Sequence, residues 1–539
     1  MAKQGRGPAM PVVDHRPLRG WRFLLLNIVL SLGNVVVLSN VPGYTVLAPY
    51  AASNLQGVTP SFGTWATTDH MIGIALGFVI GRWLAARFGD YRVLVAAYVS
   101  YAVMSLVCSM SETIYFFVIA RIVLGFAGGV IIPVGQSVLL GEYPENLRTF
   151  GVGLWGVLSM MPFMVGVYIG GWYSEFLGWR HLFYSNIVVA LLVGGVVLSL
   201  LYNRGCRLRF PRFDFVGFFL LAAILLAMQT IFNMGNDFDW LHSPILVGAL
   251  IVIVLALPCF VIWELGERHP AIDMRLFTHR NYTIATICSV LGFLVIQGLL
   301  SLLIVQLQVL LGYSSSLGGG VYLWMLLLSV PSAAIVHELC KRFDVRLICC
   351  LNFLGFGVTL TWLGLFDKTA SFDQIGWPMT FFGFSLAMFF APLASLAMHG
   401  LQGSLLMRAA EEFALLRTAA GGFGIALQGV VLFRRTPYHA LDLSDQFSGR
   451  RFAELDLMTQ LSNRLQSSGF TPAMATSQVG RFLRQEAALL ALNDAFLLGA
   501  VTFVGLAAFV WLARAPHIPR LTIAQELKQL EAEELMEQI

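Results

Sequence analysis

The chain has 539 residues, 57% of them hydrophobic and only 12% charged. A soluble domain carries about 25% charged residues, so this composition excludes an ordinary water-facing surface and points to lipid, where each spanning helix needs roughly 20 mostly apolar residues. The formal net charge of +4 is scattered between apolar runs, which excludes the basic face that nucleic acid requires.

Residues 1–22 are polar and basic, and the apolar run behind them is too long for a signal-peptide core. The hydropathy pattern predicts fourteen spanning helices. Six lie at about 23–49, 62–85, 92–110, 114–140, 151–174 and 182–203, two at 215–234 and 243–264, and six more at 282–311, 318–339, 346–366, 376–399, 412–433 and 490–513. The seven Cys sit in apolar runs or loops and do not form a disulfide framework. If the N-terminus is cytoplasmic, the inside segments hold 24 of the 34 Lys and Arg, and the short outside loops hold only Arg180 and Lys368. That asymmetry places both termini inside.

One long outside segment, 434–489, precedes the last span. Phe452, Leu455, Met458, Leu461 and Leu465 recur at helical spacing and Gly469 stops that helix. Thr471-Pro472 then opens a second helix as N-cap and first residue. The segment reads as a capping helical hairpin or as a docking surface for another protein. In the cytoplasmic tail 514–539, Ile523, Leu527 and Leu530 share one face of an amphipathic helix.

Two inside loops look alike. Leu84-Ala85-Ala86-Arg87-Phe88-Gly89-Asp90-Tyr91-Arg92 and Leu339-Cys340-Lys341-Arg342-Phe343-Asp344-Val345-Arg346 share L-x-x-R-F-(G)-D-x-R with one gap. Each follows the second span of a six-span block, so the chain divides into a half at 23–203, a two-helix insert at 215–264 and a half at 282–513. Such repeats mark secondary transporters, whose halves rock about a midplane site.

With these features the chain resembles the major facilitator superfamily, in its fourteen-helix drug:proton antiporter branch, and within that the inner-membrane components of tripartite efflux pumps. The 84–92 loop resembles the superfamily's basic loop motif (Gly81, Arg87, Gly89, Asp90, Arg92), with Ala86 at its usual Asp. Arg121-Ile122-Val123-Leu124-Gly125 resembles R-x-x-Q-G on the fourth helix. Gly166-Val167-Tyr168-Ile169-Gly170-Gly171 resembles the antiporter motif G-P-x-x-G-G, flanked by Leu154-Trp155 and Gly178-Trp179-Arg180. The branch usually carries an Asp on helix one, and the matching residue here is Asn40, which cannot carry a proton. The resemblance implies an all-α membrane protein of 6+2+6 helices without a cofactor. It also implies multidrug efflux across a bacterial inner membrane in exchange for protons, conferring antibiotic resistance, with a periplasmic adaptor and an outer-membrane channel as partners.

Ionisable residues inside a membrane are functional candidates because burying a charge in lipid is costly. Asp69, His70 and Arg121 fall at similar depths in spans two and four, so Asp69 is the candidate proton carrier, paired with Arg121; His70 points about 100° away. Asn34, Asn40, Gln136, Gln297, Gln306 and Gln308 are candidates to line a substrate path, and Glu411, Glu412 and Arg417 to form an inner gate. Gly73, Gly77 and Gly81 make a ridge for close helix packing. No catalytic or metal constellation is expected: Gly151–Gly156 fits G-x-G-x-x-G but lacks a preceding strand, His337-Glu338 lacks a second His, and there is no Walker A pattern. Two other readings stay open, an exporter of one metabolite or siderophore, and an uncoupled receptor or scaffold.

Overall fold

The computed structural model describes residues 18–515 apart from 57–59, 144–147, 203–211, 269, 368, 447–459, 461–462, 465 and 470. The apolar stripe from Phe452 to Leu465 and the tail helix expected at 521–539 lie largely or wholly outside the described residues.

Fourteen helices among the described residues are long and apolar enough to cross a membrane. They are α1 Trp21–Asn54, α2 Thr64–Phe88, α3 Asp90–Met110, α4 Ile114–Glu142, α5 Leu154–Phe176, α6 His181–Leu201, α7 Phe215–Met234, α8 Pro244–Gly266, α9 Arg280–Leu310, α10 Ser315–Arg342, α11 Val345–Leu363, α12 Phe372–Met398, α13 Leu405–Asp445 and α14 Pro472–Leu512. Helices dominate because a chain in lipid has to satisfy its backbone polar groups internally. Side chains take over at the helix starts. Asp214, Ser314, Asp344, Ser371 and Thr471 each accept a backbone N–H of the turn they open. Thr471 and Pro472 act as expected, and the helix they start runs unbroken to Phe509.

The buried apolar residues form three clusters. One is built wholly from residues 18–201. A second comes mainly from residues 276–513, joined by Val41, Met71 and Met164 among others. The third ties α7 and α8 to α2 and α13, through Ile72, Leu76, Phe218, Leu225 and Leu415. Helix α8 buries only Leu246, Phe260 and Glu264 and turns Ile251, Val254, Leu255 and Ile262 outward. It stands at the rim, where lipid is the natural solvent for such a surface.

Three close approaches organise the bundle. The Gly73 and Gly77 ridge meets Gly125 and Gly129 of α4: a side-chain carbon added at Gly77 would sit 2.7 Å from Gly129 Cα, and one at Gly81 3.3 Å from Val130 Cα. The ridge therefore locks α2 to α4. In α5, carbons added at Gly166 and Gly170 would fall 2.9 Å from Pro42 Cγ and 2.8 Å from Gly43 Cα of α1, and one at Gly171 would fall 2.7 Å from Ser315 C of α10. The antiporter-like motif thus seats α5 between α1 and α10. Finally, α2 runs along α13.

The two similar loops are built differently. Gly89 turns the first with φ 97°, a left-handed value suited to glycine. The second needs no such residue, because Asp344 caps α11 directly: it accepts the Arg346 N–H at 2.9 Å and pairs with the Arg346 guanidinium at 2.7 Å. Those contacts hold the Asp344 carboxyl below the usual carboxylate range. The one-residue gap between the repeats is this glycine. In the first loop, Arg87 lies over Trp83 at 5.4 Å and Arg92 over Tyr91 at 5.7 Å.

Candidate functional site

A cavity of about 520 Å³ lies where α1, α2, α4 and α5 face α9, α12 and α13. Its wall is mostly apolar and aromatic, with Met71, Phe78, Trp155, Phe163, Phe293 and Phe390. Polar groups are few: Gln136, Ser137, Ser159, Gln297 and Thr418, with Arg82, Glu411 and Arg417 as charges. This is the pattern of a small-molecule site, an apolar surface with a few placed polar groups. Gln297 sits at a neck, since it also lines a second space of about 20 Å³ with Pro42, Thr45 and Tyr322.

Beyond that neck, hydrogen bonds draw helices of the bundle together. Tyr50 Oη and Ser315 Oγ are hydrogen-bonded at 2.7 Å, and the Ser316 hydroxyl donates to Glu175 Oε2 at 2.5 Å. These contacts join the end of α1 and α5 to the start of α10. The cavity extends instead toward the α2–α3 loop, where Arg82 and Glu411 form an ion pair between α2 and α13.

Of the substrate-path candidates, the cavity gathers Gln136 and Gln297. Asn34 stands one layer back, its amide donating to Ser159 Oγ at 2.9 Å. Gln308 donates to Ser315 Oγ at 3.3 Å beyond the neck, and Gln306 is buried beside it outside the cavity lining. Asn40 is no lining residue either: its side-chain oxygen accepts a hydrogen bond from Arg121.

That bond corrects the expected Asp69–Arg121 pair. Arg121 is fully buried, donates from Nε to the Ala66 carbonyl at 3.2 Å and from Nη1 to Asn40, and lies 4.4 Å over the Tyr44 ring. No carboxylate among the described residues pairs with it. Asp69 is buried with its Oδ1 unpartnered. It is two residues from the cavity-lining Met71, about 200° round the helix, so it faces away from the cavity. His70 Nδ1 lies 2.9 Å from the Arg121 carbonyl, a bond that ties α2 to α4. The depths were read correctly, as the contact of Arg121 with Ala66 one turn from Asp69 shows; the rotation of α2 was not.

The expected inner-gate cluster is also split. Glu411 pairs with Arg82. Glu412 points elsewhere, accepting the Asp273 N–H at 2.5 Å and the Tyr282 hydroxyl at 3.4 Å, which fastens the α8–α9 connection to α13. Among the described residues Arg417 meets only rings, at 4.6 Å from Phe390, 5.8 Å from Phe413 and 5.9 Å from Phe293. Sequence reasoning missed Arg82 because it scores as a loop charge. It also missed the lining aromatics, which are indistinguishable in sequence from lipid-facing ones.

The sequence profile of the Major Facilitator Superfamily matches residues 25–427. The chain belongs to this superfamily. It is 28% identical to the fatty acid resistance protein FarB of Neisseria gonorrhoeae over 94% of this chain and 98% of that one. It is 26% identical to the multidrug export protein EmrB of Escherichia coli strain K12, over 93% and 98%. In fold it is similar to an auto-inhibited POT family peptide transporter, with a TM-score of 0.58 at 15% identity, covering 90% of this chain and 96% of that one. As a superfamily member it is a multi-pass helical membrane protein with a facilitator fold.

Proposed function

We propose that this chain is a secondary active exporter that carries small amphipathic molecules across a bacterial inner membrane in exchange for protons. The observation that carries this reading is the central cavity, a mostly apolar, aromatic space between two groups of helices with Gln136 and Gln297 in its wall. The names of its relatives, a multidrug export protein and a fatty acid resistance protein, support it. In this reading the chain is organised as 6+2+6 helices with both termini cytoplasmic. The three apolar clusters support that division. The Tyr50–Ser315 and Glu175–Ser316 bonds then close the outside, and the cavity faces the cytoplasm.

Asp69 is the proposed proton carrier, buried with an unpartnered oxygen and set apart from the cavity. The segment 434–489 is the proposed face for a periplasmic adaptor leading to an outer-membrane channel. Its flanking helices α13 and α14 have 41 residues each, roughly 60 Å at 1.5 Å per residue against a hydrocarbon core of roughly 30 Å. They therefore extend well beyond the bilayer. Asp494 accepts from Arg435 at 2.6 Å and lies 2.7 Å from His439 Nε2, which braces the two helices.

The test is efflux of a fluorescent amphiphile from cells with and without the protein, repeated with a proton uncoupler and with Asp69→Asn. Efflux that depends on the protein, collapses with uncoupler and is lost in Asp69→Asn is the expected result. Full proton-driven efflux by Asp69→Asn removes Asp69 from the mechanism, and the absence of protein-dependent efflux removes the transport reading.

A further inference from the structure

We infer that Arg417 is the specificity-determining residue of the central cavity and selects amphipathic anions, apolar bodies bearing one carboxylate. The inference rests on the transport reading only for what happens after binding.

The argument is one of charge. The cavity wall contains Arg82, Glu411 and Arg417. Arg82 and Glu411 cancel one another as an ion pair. Arg417 remains, with no ion-pair or hydrogen-bond partner among the described residues; its contacts are the rings of Phe390, Phe413 and Phe293. A phenyl face attracts a guanidinium only weakly compared with the cost of taking a cation out of water. The rings therefore position the guanidinium without neutralising it. Its planar fork of N–H donors matches a carboxylate in two parallel hydrogen bonds.

The surroundings complete the match. Phe293 and Phe390, which flank the guanidinium, also line the cavity, and Met71, Phe163 and Phe78 extend the apolar wall. A ligand that fills about 520 Å³ with an apolar body and sets its carboxylate on Arg417 satisfies both. A lipophilic cation of equal size would meet the same wall and a like charge.

The experiment uses two probes with one ring system and opposite charge, 2-naphthylacetate and (2-naphthylmethyl)trimethylammonium. Binding to the purified full-length protein is measured by calorimetry, and uptake into inverted vesicles is followed in parallel. The wild type should bind the anion at least about ten-fold more tightly than the cation. Arg417→Gln should lose about ten-fold or more in anion affinity while leaving the cation within about three-fold. Arg417→Lys keeps the charge without the fork, so it should retain the preference at weaker affinity; this arm decides the matter if Arg417→Gln does not fold. Equal binding of both probes by the wild type overturns the inference. So does anion binding unchanged in Arg417→Gln, or an anion preference absent from folded Arg417→Lys. The two readings fail separately. Selective binding without uptake retires the transport proposal alone, and uptake indifferent to probe charge retires this one alone.

Discussion

Two arginines inside the helix bundle face opposite fates, Arg121 fully buried and Arg417 half-buried. Arg121 of α4 is sealed among α1, α2 and α6, spending its donors on Asn40 and the Ala66 carbonyl beneath the Tyr44 and Phe183 rings. Arg417 of α13 has, among the described residues, only rings for company and a cavity in front of it. Both are cations in low-dielectric surroundings, where an unmet donor is expensive. The first is held by donations from Nε and Nη1 that join α4 to α2 and α1. The second is left for a ligand. Residue type alone does not separate a structural charge from a binding one; what the neighbouring helices offer it does.

Five substitutions, in four experiments, test this contrast. Arg121→Leu should cost about 2–4 kcal/mol, since Asn40 and the Ala66 carbonyl lose their buried donor; an unchanged thermal midpoint in detergent would break the comparison at its stronger end. Asn40→Asp should stabilise by about 1–2 kcal/mol at neutral pH, because a carboxylate accepts more strongly than an amide. A lowered midpoint in that variant would mean that Arg121 is already compensated by another group. Arg417→Leu should move the opposite way from Arg121→Leu. Replacing an unpaired cation by an apolar side chain in an apolar wall is neutral or stabilising by about 1 kcal/mol, and a midpoint drop as large as that of Arg121→Leu would make Arg417 a structural residue too. The smallest effect belongs to Arg82 and Glu411. A double-mutant cycle with Arg82→Gln and Glu411→Gln should give a coupling of about 0.5–1 kcal/mol, because the pair is partly exposed. A coupling near zero would leave all three charges of the cavity independent.

Much of the fold was legible before any coordinates. Apolar runs announce spanning helices because lipid tolerates little else, and the span at 215–234 coincides with α7. Thr471-Pro472 announces a helix start because both residues act locally. The α2 glycines announced a close approach, though not which helix makes it. The site was less legible. Asp69 and Arg121 share a depth, which counting at a fixed rise per residue reveals, but contact also depends on how each helix is rotated. The three inner-gate candidates do not form one cluster for the same reason. Glu411 and Glu412 are sequence neighbours about 100° apart on the helix, so one reaches Arg82 across the cavity and the other reaches Asp273 and Tyr282 behind it. Arg82 was counted with the loop charges because its long side chain lets a residue near a helix end reach inward as well as outward.

The sequence by itself determined that this is a many-spanning helical membrane protein and that it resembles the facilitators, because hydropathy, caps and glycine spacing are properties of single segments. Only the tertiary structure decided that Asn40 takes the place of Asp69 beside Arg121, and that Arg417 faces a cavity instead of a carboxylate. Those facts depend on the rotation and pairing of helices far apart in the chain. Packing sets such rotations collectively, and no local pattern encodes them.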